Sequence, residues 1–334
     1  MQIRRFKELI TSSVNANGLL LCHPNADPDA VSSAFVFSHI IATLNPEVKC
    51  EIASPEGPSE PSTRLLSFLR FHVVTDPKIE EADFFVLLDT SSLKQLGHWG
   101  ERVKTTGKPL ILVDHHAPKP DDYTSSFIDL SEEKARSTCE IVFRIGKDLG
   151  HRFGPEDTFA LLFGIVFESK YFRIATPDTF RIAATLIESG ADSQKAIALL
   201  GRPMTVSEKI ARLKACQRMD LQKVDDWLLA LTQVNSYQSS SARALLALGA
   251  DIAIVVGGKK GKIRVSLRCT QEFVDKTGIH LGKDVAFKLG ELLGGVGGGH
   301  PTTAGASGTG DIDNILKMSS RLILETLKRV KSSS

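Results

Sequence analysis

GLLLCHPNADPDAVSSAFVFSHIIATL, residues 18–44, opens on a compact apolar run, Gly18 to Cys22. It closes on a stretch from Ala30 to Leu44 in which Val31, Ala34, Phe35, Ile41 and Leu44 recur at helical spacing. Between the two lies His23-Pro24-Asn25-Ala26-Asp27-Pro28-Asp29, a turn crowded with ligand-type side chains. Strand, turn and helix in that order form the repeating unit of alternating α/β sheets.

The same unit recurs downstream. Phe84 to Leu88 and Leu110 to Val113 are continuous apolar runs bounded by polar residues. Runs without in-out alternation suit strands covered by helices on both faces. The predicted fold class is therefore α/β, with a doubly wound, mainly parallel sheet extending through the helical stretch near Phe180 to Ser189. Each of these runs ends in similar chemistry. Gly18 to Cys22 leads into His23, Asn25, Asp27 and Asp29; Phe84 to Leu88 leads into Asp89; Leu110 to Val113 leads into Asp114, His115 and His116. In an open α/β sheet the ligand crevice lies outside the carboxyl ends of the strands, so these residues converge. Mixed imidazole and carboxylate ligands suit manganese, iron, cobalt or zinc better than calcium. A central carboxylate such as Asp89 can bridge two ions. Taken singly, each residue has a plainer reading, since an Asp after a strand is commonly a helix cap.

Composition bounds the rest. The chain has 334 residues, enough for two domains, with 42% hydrophobic and 24% charged residues, as in ordinary globular proteins. The net charge of +2 leaves any anion affinity to local clusters. Five cysteines are scattered without a Cys-x-x-Cys pair, which favours a reducing compartment over a disulfide framework. Neither a signal peptide nor a membrane-length apolar run is visible, and the expected location is cytoplasmic, away from membranes. Gly201-Arg202-Pro203 breaks the α/β pattern and a polar helix follows, roughly Val206 to Arg218. Trp227 to Val234, Asp251 to Val256 and Ile263 to Cys269 read as strands, the last two joined through a hairpin-type turn at Gly257 to Gly261.

Two glycine- or arginine-bearing segments remain. Gly294-Gly295-Val296-Gly297-Gly298-Gly299-His300-Pro301 is too glycine-dense for an ordinary helix or strand, and its consecutive N–H groups could cradle an anion. Between Asp251 and Glu272, Lys259, Lys260, Lys262, Arg264 and Arg268 stand without an acidic residue. Arg268 carries the planar fork that matches phosphate oxygens.

His23 to Asp29, Leu87-Leu88-Asp89 and Val113-Asp114-His115-His116 together resemble the first three motifs of the DHH phosphoesterase family. Gly297 to Ala306 and Val265-Ser266-Leu267-Arg268 resemble the GGGH signature and phosphate-gripping strand of its associated C-terminal domain. That family includes nano-RNases and pAp phosphatases, RecJ exonucleases, family II pyrophosphatases and polyphosphatases. The resemblance implies two Mn²⁺ ions, with Mg²⁺ or Co²⁺ as substitutes. His23, Asp27 and Asp89 would hold one ion; Asp29, Asp89 and His115 would hold the other. His116 would face the substrate phosphate as a catalytic residue, with Asp114 orienting the histidines. Gly164-Ile165-Val166-Phe167-Glu168-Ser169 departs from the family pattern, placing Glu168 where Asp is usual as a ligand. Ser266, Arg268, Gly297, Gly298, Gly299 and His300 would bind substrate. The implied organisation is a catalytic domain at 1–200, a linker helix at 201–225 and a smaller α/β substrate domain at 226–331, the active site lying in the cleft between the domains. The expected activity is hydrolysis of short oligonucleotides or nucleotide phosphates to 5′-mononucleotides, nano-RNase-like and extending to pAp, with room for a homodimer. The rivals are a RecJ-like exonuclease, a polyphosphatase or pyrophosphatase, and a non-catalytic scaffold.

Overall fold

The computed structural model describes residues 1–116, 126–201, 204–259 and 261–332. Arg202 and Pro203 of the expected break, Lys260 of the basic hairpin, and Ser333 and Ser334 lie outside the described residues. The chain divides into two compact units, Met1–Arg202 and Pro203–Ser334.

In the first unit α1 (Gln2–Ser12) precedes β1 (Asn17–Leu21), α2 (Pro28–Leu44), β2 (Lys49–Ala53) and α3 (Glu60–Leu69). Then come β3 (Phe84–Leu88), α4 (His98–Thr106), β4 (Leu110–Val113) and β5 (Phe127–Asp129). Four helices complete it: α5 (Thr138–Asp148), α6 (Pro155–Glu168), α7 (Pro177–Glu188) and α8 (Ser193–Leu200). The strands form one sheet in the order β2-β1-β3-β4-β5, every pair parallel. The two apolar runs at 84–88 and 110–113 match β3 and β4 residue for residue. Their lack of alternation has the expected cause. Leu20, Val86 and Ile111 face a core built with α1, α2, α5 and α6, while Leu19, Phe85 and Leu110 face a second core around Trp99 and Val103. The order of strands reverses between β1 and β3, and at such a switch point the loops leaving neighbouring strands diverge and open a crevice.

The second unit runs α9 (Val206–Gln217), β6 (Asp220–Val224), β7 (Trp227–Gln233), α10 (Gln238–Ala247), β8 (Ile252–Lys259) and β9 (Lys262–Cys269). It ends with α11 (Gln271–Thr277), a π-helical segment (Leu281–Ala286), α12 (Phe287–Leu292), β10 (Val296–Gly299), β11 (Thr303–Thr309) and α13 (Ile312–Ser332). Its sheet has the order β10-β11-β9-β8-β7-β6, with β7 and β8 parallel and the other pairs antiparallel. Larger apolar side chains such as Ile254, Leu267 and Phe273 fill one face, and Ala230, Ala253 and Ala242 bring α9 and α10 close on the other.

Two expectations are corrected here. Residues 220–224, expected within the linker, form β6 at the edge of the sheet. None of its residues is fully buried, so the strand leaves no apolar alternation in the sequence. The glycine-rich segment, expected to be too glycine-dense for an ordinary helix or strand, contains a strand: Val296 to Gly299 pairs antiparallel with Ala304 to Ser307. Its glycines serve backbone-on-backbone packing. A Cβ on Gly297 would lie 1.8 Å from the carbonyl oxygen of Ala286, inside the π-helical segment.

Helices α2 and α6 are tied by a polar clamp within the apolar unit. Asp157 is 4% exposed. It accepts hydrogen bonds from His39 Nδ1 at 2.6 Å, His151 Nε2 at 3.1 Å and the Gly154 N–H at 2.9 Å. Burial opposes its charge, but the bonds from His151 and His39 prevail and hold its pKa below the usual carboxylate range. The hydrogen bond to Asp157 in turn raises His39 above the ordinary histidine value. A lowered carboxylate stabilises the fold above its unfolded pKa, near 4, and that stabilisation disappears as pH falls through the folded value. A raised histidine stabilises below its unfolded pKa, near 6.5, and that stabilisation disappears as pH rises through the folded value. The clamp is therefore strongest between about pH 4 and 6.5. Asp157→Asn is expected to destabilise the protein by about 2 kcal/mol at pH 6, with the deficit shrinking toward pH 8. Thermal melts of both proteins across that range check the sign; a deficit that grows with pH contradicts it.

Candidate metal centre

The carboxyl ends of β1, β3 and β4 bring the predicted side chains together. Pro28 starts α2, and Asp27 caps it, its Oδ1 accepting from the N–H groups of Asp29 at 2.9 Å and Ala30 at 3.1 Å. Asp89 leaves β3 with φ at 55°, a left-handed conformation that turns its side chain off the strand path. Asp114 leaves β4 and is 1% exposed. Its Oδ1 accepts from the N–H groups of His115 and His116 at 2.8 and 3.2 Å, and from His116 Nδ1 at 2.9 Å.

Two groups emerge, sharing Asp89. His23, Asp27 and Asp89 form one; Asp89, His115 and His116 form the other, and within each the ligand atoms lie within 4.8 Å of one another. His23 Nε2 is 3.8 Å from Asp27 Oδ1 and 3.9 Å from Asp89 Oδ2. His115 Nε2 is 3.4 Å from Asp89 Oδ1 and 3.9 Å from Asp29 Oδ2. Most of these separations exceed a good hydrogen bond, yet suit atoms sharing an ion at about 2.1 Å from each. His115 Nε2 is itself buried without a hydrogen-bond partner among the described residues. Buried polar atoms are almost always satisfied, so an orphaned imidazole nitrogen facing carboxylates fits a divalent transition ion.

The electrostatics agree. Burial disfavours a proton on His23, but Asp27, the Pro24 carbonyl and Asp89 outweigh it and raise the pKa to about 9. His115 is raised to about 9 as well, with Asp89 and Asp29 overcoming burial. Burial and then the charge of Asp89 push Asp29 well above the carboxylate range. The field that draws protons to these histidines is the one a cation would feel.

The other predicted residues take different places. Asp29 lies outside the two groups, wholly buried, with its oxygens held by the N–H groups of Thr138 at 2.7 Å and Cys139 at 3.0 Å. Glu168, the last residue of α6, also lies outside them. Burial and then the charges of Asp27 and Asp89 raise its pKa, so its carboxyl feels the charge of the centre. The backbone then turns through Lys170, Tyr171 and Phe172, all left-handed, with φ of 53°, 57° and 64°.

In the second unit an open pocket of about 720 Å³ is lined by Ser239, Arg264, Ser266, Gly297, Gly298 and Thr303, among others. Arg268 reaches two of these lining residues, donating to Thr303 Oγ1 at 3.2 Å and Ser239 Oγ at 3.1 Å, while its buried Nε has no partner among the described residues. Burial and then neighbouring Arg243 lower its pKa. Gly299 and His300 belong to the end of β10 and its turn rather than the pocket wall, and His300 is exposed.

The chain matches the DHH family, N-terminal domain, over residues 19–165 and the DHHA1 domain over residues 240–325. It is 35% identical over 328 residues to the uncharacterized protein MJ0988 of Methanocaldococcus jannaschii, covering 94% of this chain and 96% of that protein. The chain belongs to the DHH family of phosphoesterases. Among solved structures, an exopolyphosphatase-related protein from Bacteroides fragilis superposes with a TM-score of 0.61 at 17% identity, covering 99% of this chain and 97% of the other. A manganese-bound RecJ exonuclease structure is more distant, with a TM-score of 0.40 at 12% identity and coverage of 98% and 95%.

Within the DHH domain, Thr138 and Cys139 hold a predicted ligand, and sequence reasoning did not single them out. The pattern Ser137-Thr138-Cys139-Glu140 is a capping signature that marks the start of a helix. Ser137 does cap α5. The pattern says nothing of which side chain the first turn will meet.

Gly164 makes the three-helix crossing at the centre feasible. A Cβ there would stand 2.4 Å from Cys139 Sγ and 3.3 Å from the Asp29 Cα. Gly164→Ala is expected to destabilise the domain by about 1–3 kcal/mol. Adding Cys139→Ala, which removes the obstructing sulfur and keeps the N–H, is expected to recover most of the loss. Chemical denaturation of the single and double variants measures this. Equal loss in both would place the strain elsewhere.

Proposed function

We propose that this DHH-family protein is a divalent-metal-dependent phosphodiesterase that releases 5′-mononucleotides from short oligonucleotides, with nucleotide phosphates such as pAp as companion substrates. The observation that carries the reading is the pair of ligand groups sharing Asp89, with the unpartnered His115 Nε2 among them. His23, Asp27 and Asp89 would hold one ion and Asp89 and His115 the other, with Asp29, whose Oδ2 lies 3.9 Å from His115 Nε2, as its third ligand in place of His116, which is kept for the substrate; Mn²⁺ is the ion best matched to this donor set. Bound there, such ions supply the concentrated positive charge that stabilises a phosphoryl-transfer transition state.

The chain's own residues do the remaining work. Asp114 accepts from His116 Nδ1, leaving Nε2 of that ring to meet a phosphate oxygen. The hydrogen bond to Asp114 raises the His116 pKa, favouring the form that carries a proton on Nε2. His116 is thus a proton donor to the departing or non-bridging oxygen. Arg268, held by two hydroxyls rather than by a carboxylate, keeps its charge available for a substrate phosphate. Val265, Val296 and Ala304 in the same pocket offer surface for a sugar or base. A bare polyphosphate chain would draw on a denser set of cations than Arg264 and Arg268.

An assay of length-graded RNA and DNA with Mn²⁺, beside pAp, pyrophosphate and polyphosphate, tests this. Expected is faster turnover on strands of about two to five nucleotides than on twenty or more, since one pocket grips only the terminal units. Asp89→Ala is expected to lower turnover at least about 100-fold, because even supporting groups around a metal cost 10–100-fold. Arg268→Ala is expected to raise KM while bound metal is retained. A kcat/KM that climbs steadily with length, products bearing 3′ phosphates, or preference for polyphosphate would overturn the substrate assignment. Undiminished activity in the Asp89 variant would overturn the metal assignment.

A further inference from the structure

We propose that Thr138 is a positioning residue that sets the spacing of Asp29 and Asp89, and so governs the ion site built around His115; this rests on the metal reading above. Asp29 comes from the first turn of α2 and Asp89 from the end of β3, and the first turn of α5 meets both. Thr138 donates its N–H to Asp29 Oδ2 at 2.7 Å and its hydroxyl to Asp89 Oδ1 at 3.0 Å. These are the same two oxygens that His115 Nε2 faces, at 3.9 and 3.4 Å. The other oxygen of Asp89, Oδ2, is the one toward His23.

The grip has a physical purpose. Two buried carboxylates repel, and that repulsion is part of what pushes Asp29 upward. Amides in the first turn of a helix lack intrahelical acceptors and sit at the positive end of its dipole. The Thr138 N–H therefore neutralises part of the charge on Asp29 without occupying the space an ion needs. Its hydroxyl is wholly buried with the residue, so the bond to Asp89 competes little with solvent. Each carboxylate oxygen keeps a lone pair for the ion once one is committed to Thr138. Removing the hydroxyl leaves Asp89 Oδ1 free to swing, which disturbs the His115 side and leaves the His23 side with its own partners.

The experiment is titration of metal-free, full-length protein with Mn²⁺ by calorimetry and electron paramagnetic resonance. Thr138→Val keeps the shape and the N–H but loses the hydroxyl. One of two Mn²⁺ sites is expected to weaken by about 10–100-fold, the usual effect of losing a group that supports a ligand, while the other stays unchanged. The spin-coupled signal of paired ions should give way to that of an isolated ion. Thr138→Ser should restore both. In a His115→Gln background Thr138→Val should add nothing. Should Thr138→Val fail to fold, Thr138→Cys, similar in size with a weaker donor, carries the same expectation. Two ions bound by the variant as tightly as by wild type, or equal weakening of both, would overturn the role of Thr138. A wild-type protein that binds no Mn²⁺ would instead overturn the metal reading on which it rests.

Discussion

Carboxylates gathered in a buried space repel one another, and the first unit is organised around that repulsion. Asp89 and Asp114, at the ends of adjacent parallel strands, and Asp29, in the first turn of α2, are each almost wholly buried. Left alone they would protonate or drive the loops apart. What holds them is a set of dipoles delivered by the fold. The first turn of α2 donates to Asp27, the first turn of α5 donates to Asp29 and Asp89, and consecutive N–H groups after β4 donate to Asp114. A parallel sheet with helices on both faces naturally aims helix N-termini at the carboxyl ends of its strands. Fold and centre are thus one constraint seen at two scales.

That coupling explains what could be read from the sequence. A strand buried on both faces must be apolar throughout, so Phe84 to Leu88 and Leu110 to Val113 announced themselves, and the residues just after them had to lie at one edge of the sheet. The DHH motifs follow those strands directly, which is why most of the predicted ligands converge. Thr138 was hidden for the converse reason. Its partners lie 109 and 49 residues away in sequence, and no local periodicity encodes such contacts. Glu168 was visible as a departure, but whether a side chain one methylene longer joins the ligands is set by where α6 ends. The structure leaves it beside the two groups rather than in them.

The second unit misled for a different reason. Glycine density argued against an ordinary strand, whereas here it permits one packed tightly between backbones. Val296 to Gly299 is a paired strand, and its glycines let the π-helical segment and α12 lie directly on the sheet. Glycine is suited equally to loops and to tight backbone contact, and composition alone does not separate the two. β6 was missed because an edge strand with little burial carries no hydrophobic signature. Arg268 was legible because it closes Val265-Ser266-Leu267-Arg268 in a stretch with no acidic residue, and its guanidinium is shaped for phosphate oxygens.

The two polar networks along α2 act in opposite senses. Near its N-terminus the carboxylates of Asp27, Asp29 and Asp89 gather around His23 and His115, whose Nε2 has no hydrogen-bond partner among the described residues. Toward its C-terminus His39 meets Asp157 of α6, which is fully paired, with His151 and the Gly154 N–H completing its shell. One network is self-sufficient and the other is not. The closed clamp holds α2 against α6 independently of the open centre. Between them Gly164 brings α6 against Cys139 and Asp29. The paired far end and the close crossing fix where the α2 N-terminus can point, so the carboxylates near it are anchored by the helices that carry them. A centre whose charges could spread by backbone drift would bind cations weakly; one whose carboxylates are anchored from behind keeps its field focused on the space where an ion fits.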